Sequence, residues 1–214
     1  MQLNPTQNVA VDLLILAFDR TRNTIKIFTP IREDSKKKAL PGVLLKHNES
    51  IPEAVQRTLE TKTNLFDLSY RLQELPAQTN PSRDPRGHVA SIPIVVLITE
   101  TVLFSDGWST FEPDLELDFD HTEMVNKAFN ILSNNWDKHP LPLLLLGHTA
   151  TLEETRDMLA HFQPYYSKTL PSNLRQMSFV QNFLKETNSF MTKKKGRPPR
   201  CFEVLTDKIK PLYQ

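Results

Sequence analysis

The sequence predicts an α+β protein in two parts, a mixed sheet sandwiched by helices and then a winged helix-turn-helix. Three observations predict it. Strand-length apolar runs alternate irregularly with two helical patterns up to about Asn134. A capping box at Thr151 then opens a pair of helices joined by a short proline-containing turn. Last comes a cationic stretch flanked by two strand-like segments, the layout of a wing. The expected division is residues 1–138 for the sheet-and-helix domain, 139–149 for a linker and 150–214 for the winged helix-turn-helix domain.

The run Val9 to Phe18 is aliphatic and β-branched, Thr24 to Phe28 alternates, and Asp19 to Asn23 supplies the turn of a hairpin. Ala39 to Leu45 is a short apolar segment carrying Pro41-Gly42. Ser50-Ile51-Pro52-Glu53 has capping-box spacing, and Ile51, Ala54, Val55 and Leu59 recur at helical spacing, so a helix runs to about Glu60. Phe66 to Leu75 reads as a strand, Pro76 to Gly87 as a polar loop and Val89 to Thr99 as a buried strand. Asp120 to Asn134 reads as a helix. His139 to Gly147, two prolines and a leucine run, reads as a connector docked by its apolar side.

The next helix should run from Thr151 to about Phe162. A second helix from Pro171 or Ser172 to about Glu186 should bury Leu174, Met177, Val180, Phe183 and Leu184. Phe190 to Thr192 and Cys201 to Leu205 should form the strands of the wing.

Charge is divided unevenly. Residues 1–150 carry 15 cations against 19 acids, whereas residues 151–214 carry 11 against 6. The basic excess centres on Lys193, Lys194, Lys195, Arg197 and Arg200, where a glycine and two prolines favour an exposed loop that can lie along phosphates. On the second helix Ser172, Asn173, Arg175 and Gln176 face outward, and their amide and guanidinium groups suit base edges in the major groove. Helix pair, wing and local charge together imply double-stranded DNA as a partner. No apolar run approaches a membrane span, no leader pattern opens the chain, and one cysteine, Cys201, leaves no internal disulfide or zinc site, so a cytoplasmic protein without cofactor or metal is expected.

Leu40 to Leu65 resembles a Nudix box, GX5EX7REUXEEXGU with U aliphatic. Glu49, Arg57, Leu59 and Leu65 fall in register, and Gly42 matches the first glycine of the common GG pair. Val43 replaces the second glycine of the common pair, Thr58 the glutamate after the arginine, Thr61 and Lys62 the acidic pair, and Asn64 the closing glycine. Asp84-Pro85-Arg86-Gly87-His88-Val89-Ala90-Ser91 resembles the DPRG segment of ADP-ribose-type Nudix domains and of the Nudix-related transcriptional regulators called the NrtR family. The opening VDLLILAFD, the Thr151 helix start, Ser172 to Arg175 and the Gly196 to Arg200 wing are similar to that family in the same order.

The resemblance implies a Nudix-like α/β/α sandwich that senses a metabolite, ADP-ribose or another NAD-related compound or a sugar, and a winged helix that binds a palindromic operator as a homodimer. It also implies weakened or lost hydrolysis, because that chemistry needs several carboxylates around Mg²⁺ and an ammonium at Lys62 opposes a divalent cation. The candidate ligand-binding residues are Arg32, Arg86, Glu49 and Lys62, expected in a pocket between the sheet and the Ser50 helix. No residue is assigned as catalytic. Two other readings stay open: a divergent pyrophosphohydrolase using Glu49 and carboxylates outside the box, and a module that binds protein or RNA through its basic tail.

Overall fold

The structure, a computed structural model, describes residues 8–102, 104–134, 139–192 and 198–209. Strand β1 (Asn8–Asp19) organises the larger part. Along one edge it pairs in parallel with β5 (Val89–Ile98). Its other edge is shared, residues 10–12 pairing with β3 (Gly42–Leu44) and residues 16–19 with β2 (Thr24–Phe28). Strands β4 (Tyr70–Glu74) and β6 (Trp108–Thr110) lie at the two ends of the order β4-β5-β1-β2-β6. The expected strand from Phe66 is shorter than its apolar content suggests. Residues 65–68 close a turn through the Leu68 N–H and Leu65 carbonyl, and pairing with β5 begins only at Tyr70.

β1 is buried on both faces, which explains its nearly unbroken apolar run. Val11, Leu13, Ile15 and Ala17 pack with Ile94, Val96 and Ile98 against Ala54, Val55 and Leu59 of helix α1 (Ile51–Lys62). Leu14, Leu16 and Phe18 face the other way, with Val95 and Leu97, towards Met124, Val125, Ala128 and Leu132 of helix α2 (His121–Ser133). Both helices follow the sequence expectation closely. In α1 the capping box forms, Ser50 accepting the Glu53 N–H while the Glu53 carboxylate accepts the Ser50 N–H.

The second face also carries the C-terminal part. Leu141–Leu146 is a wholly buried 3-10 helix, so the docked connector is a structural wedge with its whole leucine run in the core. It ends at Gly147, whose φ of 66° and approach to the Thr99 carbonyl leave no room for a side chain: a Cβ would stand 2.5 Å from that oxygen. Strand β7 (Thr149–Thr151), too short to be anticipated, joins β9 (Arg200–Val204) and β8 (Leu184–Phe190) in a three-stranded sheet ordered β7-β9-β8. Helix α3 (Leu152–Ala160) begins at the expected capping box, with Thr151 and Glu154 reciprocally bonded.

The second helix of the pair departs from expectation. It is broken into α4 (Pro171–Leu174) and α5 (Ser178–Phe183) by an extended Met177, and β8 begins at Leu184 instead of near Phe190. The cause is packing. A continuous helix would place Leu174 and Phe179 about 140° apart. The break resets the phase so that Leu174, Phe179 and Val180 all reach the core, while Met177 and Phe183 are left only half-buried.

Candidate functional site

The box positions are occupied by groups that hold the fold. Thr58 is completely buried and its hydroxyl donates to the Ala54 carbonyl at 2.7 Å. The Thr61 hydroxyl donates to the Arg57 carbonyl at 2.7 Å. Lys62 is exposed in the last turn of α1, where a cation suits the helix dipole. Glu49 accepts from Arg57 Nε at 2.6 Å and Nη2 at 2.7 Å, and from the Lys46 N–H at 2.8 Å. Arg57 donates as well to the Leu44 carbonyl at 2.9 Å, tying loop to helix. The guanidinium pulls the Glu49 carboxyl down to about 2. Two threonines, a lysine and an already paired glutamate do not fit Mg²⁺, which wants several anionic oxygens. No group of three or more His, Cys, Asp or Glu among the described residues is arranged to hold a metal.

The arginines expected between sheet and α1 are not brought to Glu49 and Lys62, because that layer is filled by Val11, Leu13, Ile15, Ala54, Val55 and Leu59. Arg32 and Arg86 meet instead at Phe119, just before α2. Their guanidinium carbons lie 4.2 and 5.1 Å from its ring centroid. Phe119 has φ 56°, a left-handed conformation unusual for an aromatic residue and a mark of local strain. Arg32 pairs with Asp34, its Nε donating at 2.8 Å, and lies 3.5 Å from Asp118. Arg86 grips Asp84 with two bonds of 2.9 and 2.7 Å. Both guanidinium groups are held further into their charged form by these hydrogen bonds.

Beneath this pair lies a buried network that the sequence reading missed. Arg83 makes a bidentate pair with Asp120, 2.8 Å on both arms, and lies 3.3 Å from Asp12, which also accepts the Ser91 hydroxyl at 2.6 Å. His121 Nδ1 accepts the Leu40 N–H at 3.0 Å, leaving Nε2 to carry the proton 4.0 Å from Asp12. Burial pushes the His121 pKa down, against the pull of Asp12, and keeps the ring neutral. Gly42 is fixed by the same network, since any Cβ there would collide with the Asp12 carboxylate. The missed signal was Asp12 itself, a charge in the middle of an apolar strand that had to find a buried partner.

In the C-terminal part Ser172, Asn173, Arg175 and Gln176 are all exposed on α4 and the turn after it. Arg200 is exposed at the start of β9. Arg175 and Arg200 are joined by Glu186, each guanidinium taking one carboxylate oxygen. Lys193, Lys194, Lys195 and Arg197 lie outside the described residues.

The two parts meet on the face of the sheet opposite α1. Phe111 and Phe129 of the first part pack with Phe162 at the end of α3, at centroid distances of 6.3 and 5.6 Å. Arg20, in the β1–β2 turn, pairs with Glu154, the capping glutamate of α3, and donates to the Leu146 and Thr149 carbonyls. His161 Nε2 bonds the Asn23 carbonyl of the same turn at 2.8 Å. Gln163 donates to the Ser133 carbonyl at 2.8 Å.

Sheet, helices and wing together define a Nudix-like domain joined to a winged helix-turn-helix. The chain has the fold of NrtR from Shewanella oneidensis in complex with a 27mer DNA, with TM-score 0.73, 19% identity and coverage of 94% of this chain and 95% of that one. It has the fold, too, of a MutT/nudix family protein from Enterococcus faecalis, with TM-score 0.76, 22% identity and coverage of 94% and 89%. In sequence it is homologous to the ADPR responsive transcriptional repressor NtrR of Acinetobacter baylyi, 28% identical over 192 residues that cover 84% of this chain and 73% of the relative. No protein-family model matches the chain. Among the described residues no helix is long and apolar enough to cross a membrane.

Proposed function

We propose that this protein is a ligand-responsive, DNA-binding transcriptional regulator that acts in the cytoplasm as a homodimer, sensing ADP-ribose or a related metabolite without hydrolysing it. The observation that carries the reading is the shared core. The helices and sheet of the DNA-binding part share one core with β1, β5 and α2, largely through the Leu141–Leu146 wedge, so a ligand that shifts those elements also shifts the helices that meet DNA. The Acinetobacter relative, an ADP-ribose-responsive repressor, supports the choice of effector. The eroded box supports the loss of hydrolysis, since its positions offer Thr58, Thr61 and Lys62 where carboxylates would gather the metal.

Arg32, Arg86 and Phe119 are the proposed contacts for the ligand, two cations over one aromatic face. Arg32, Arg83 and Arg86 are outnumbered by Asp12, Asp34, Asp84, Asp118 and Asp120. A diphosphate therefore has to take the place of a carboxylate, and Asp34, the most exposed of the five, is the one that gives way. In the DNA complex α4 and the Met177 joint enter the major groove while the wing follows phosphates.

Calorimetric titration of the full chain with ADP-ribose, AMP and free ribose tests this. The expected result is saturable binding of ADP-ribose that Arg86→Ala weakens about tenfold. Equal, unsaturable heats from all three ligands, or Mg²⁺-dependent release of AMP at an enzyme-like rate, contradict the reading.

A further inference from the structure

Arg175 and Arg200 come from different elements, the turn after α4 and the start of β9, and Glu186 of β8 is the group that brings them together. Each carboxylate oxygen takes one guanidinium. Each guanidinium also lies over an aromatic ring, Arg175 5.8 Å from the centroid of Phe202 and Arg200 5.3 Å from that of Phe190. The strand register builds this arrangement. Glu186 stands opposite Phe202 and Phe190 opposite Arg200, so the hairpin spends four steps on β8 against two on β9, and the irregularity turns Phe190 under the second arginine. All three charged side chains are between a third and a half exposed, and pairs so open to solvent contribute little to stability.

A carboxylate on a surface that approaches DNA repels phosphate whatever the base sequence, and a guanidinium bonded to it keeps its other N–H donors but in a fixed direction. A duplex that offers acceptors where the remaining donors of both guanidinium groups point, such as guanine O6 and N7, gains bonds that offset the repulsion, and a duplex without them does not. We propose that Glu186 is a specificity-determining residue of the DNA interface, a positioning group that aims Arg175 and Arg200 at base edges and penalises indiscriminate phosphate contact. The inference rests on the DNA-binding reading above and adds to it a residue of the opposite charge sign.

The test uses the full chain and two fluorescein-labelled duplexes, one enriched from a random pool by the wild type and one a scramble of the same composition. Anisotropy is read between about 50 and 200 mM KCl. Glu186→Gln should tighten binding of the scramble about fivefold, steepen the slope of log K against log salt by about one, and cut discrimination between the duplexes about tenfold. Glu186→Ala should do the same, while Arg175→Ala should weaken the enriched duplex. Unchanged discrimination in both Glu186 variants overturns the proposal. So does an equal loss on both duplexes with an unchanged slope, which is the mark of a purely structural role. A wild type that enriches no sequence overturns the DNA-binding reading itself and the inference with it, whereas an Arg175→Ala protein indistinguishable from the wild type on the enriched duplex overturns the inference alone.

Discussion

The two faces of the central sheet have the same kind of apolar filling and opposite consequences. On the α1 face the core ends within the domain: β1 and β5 meet one helix, whose Arg57 is taken up by Glu49 and whose Thr58 and Thr61 hydroxyls are bonded to their own backbone. On the α2 face the core continues through the leucine wedge into α3, α5 and the wing sheet. The face that holds the box is thereby closed, while the face without it is mechanically joined to the winged-helix part. On the proposed function, a sheet of this kind turns from cutting a ligand to reporting it when the acids leave one side and a second module covers the other.

The largest effect that would break this contrast is at the junction. Phe162→Ala should destabilise the whole chain by about 3–5 kcal/mol and leave a single cooperative unfolding transition in denaturant. Two separate transitions in the wild type would show that the core is not shared. Arg83→Ala comes next, at about 3 kcal/mol, because it strands Asp12 and Asp120 without their buried cation. A loss below about 1 kcal/mol would mean that the network is solvated.

Arg57→Ala on the other face should cost only about 1 kcal/mol, the pair being partly open to water, and should leave DNA binding unchanged. A coupled loss of DNA affinity would erase the distinction between the faces. The smallest effect is a pH slope. His121 is neutral in the fold, whereas the unfolded chain takes up a proton below about pH 6.5. Stability is therefore complete above that pH and falls as the pH drops towards the folded value. His121→Gln should flatten the decline in Tm between about pH 7 and 5, and a wild-type Tm that does not change there contradicts the assignment.

What was legible in the sequence was what is local. The capping boxes at Ser50 and Thr151 announce their helices within four residues, and the run from Val9 to Phe18 announces a doubly buried strand. What was not legible depends on distant partners. Arg83 finds Asp12 across 71 positions, and nothing near either residue names the other. β7 is three residues long and is a strand only because β9 lies beside it. The apolar spacing from Leu174 to Leu184 suited one long helix, and it took the core beneath Phe179 and Val180 to break it at Met177. Of the proposed ligand group, Arg32 and Arg86 are named from sequence, but Phe119, the ring that gathers them, is not.

The most direct measurement combines both ends of the molecule: anisotropy of the enriched duplex bound to the full chain, followed while ADP-ribose and Mg²⁺ are added, with chromatography of the nucleotide afterwards. The account predicts a change of about tenfold or more in DNA affinity with the ADP-ribose recovered intact. Nucleotide consumed at an enzyme-like rate while the DNA affinity stays constant would contradict it.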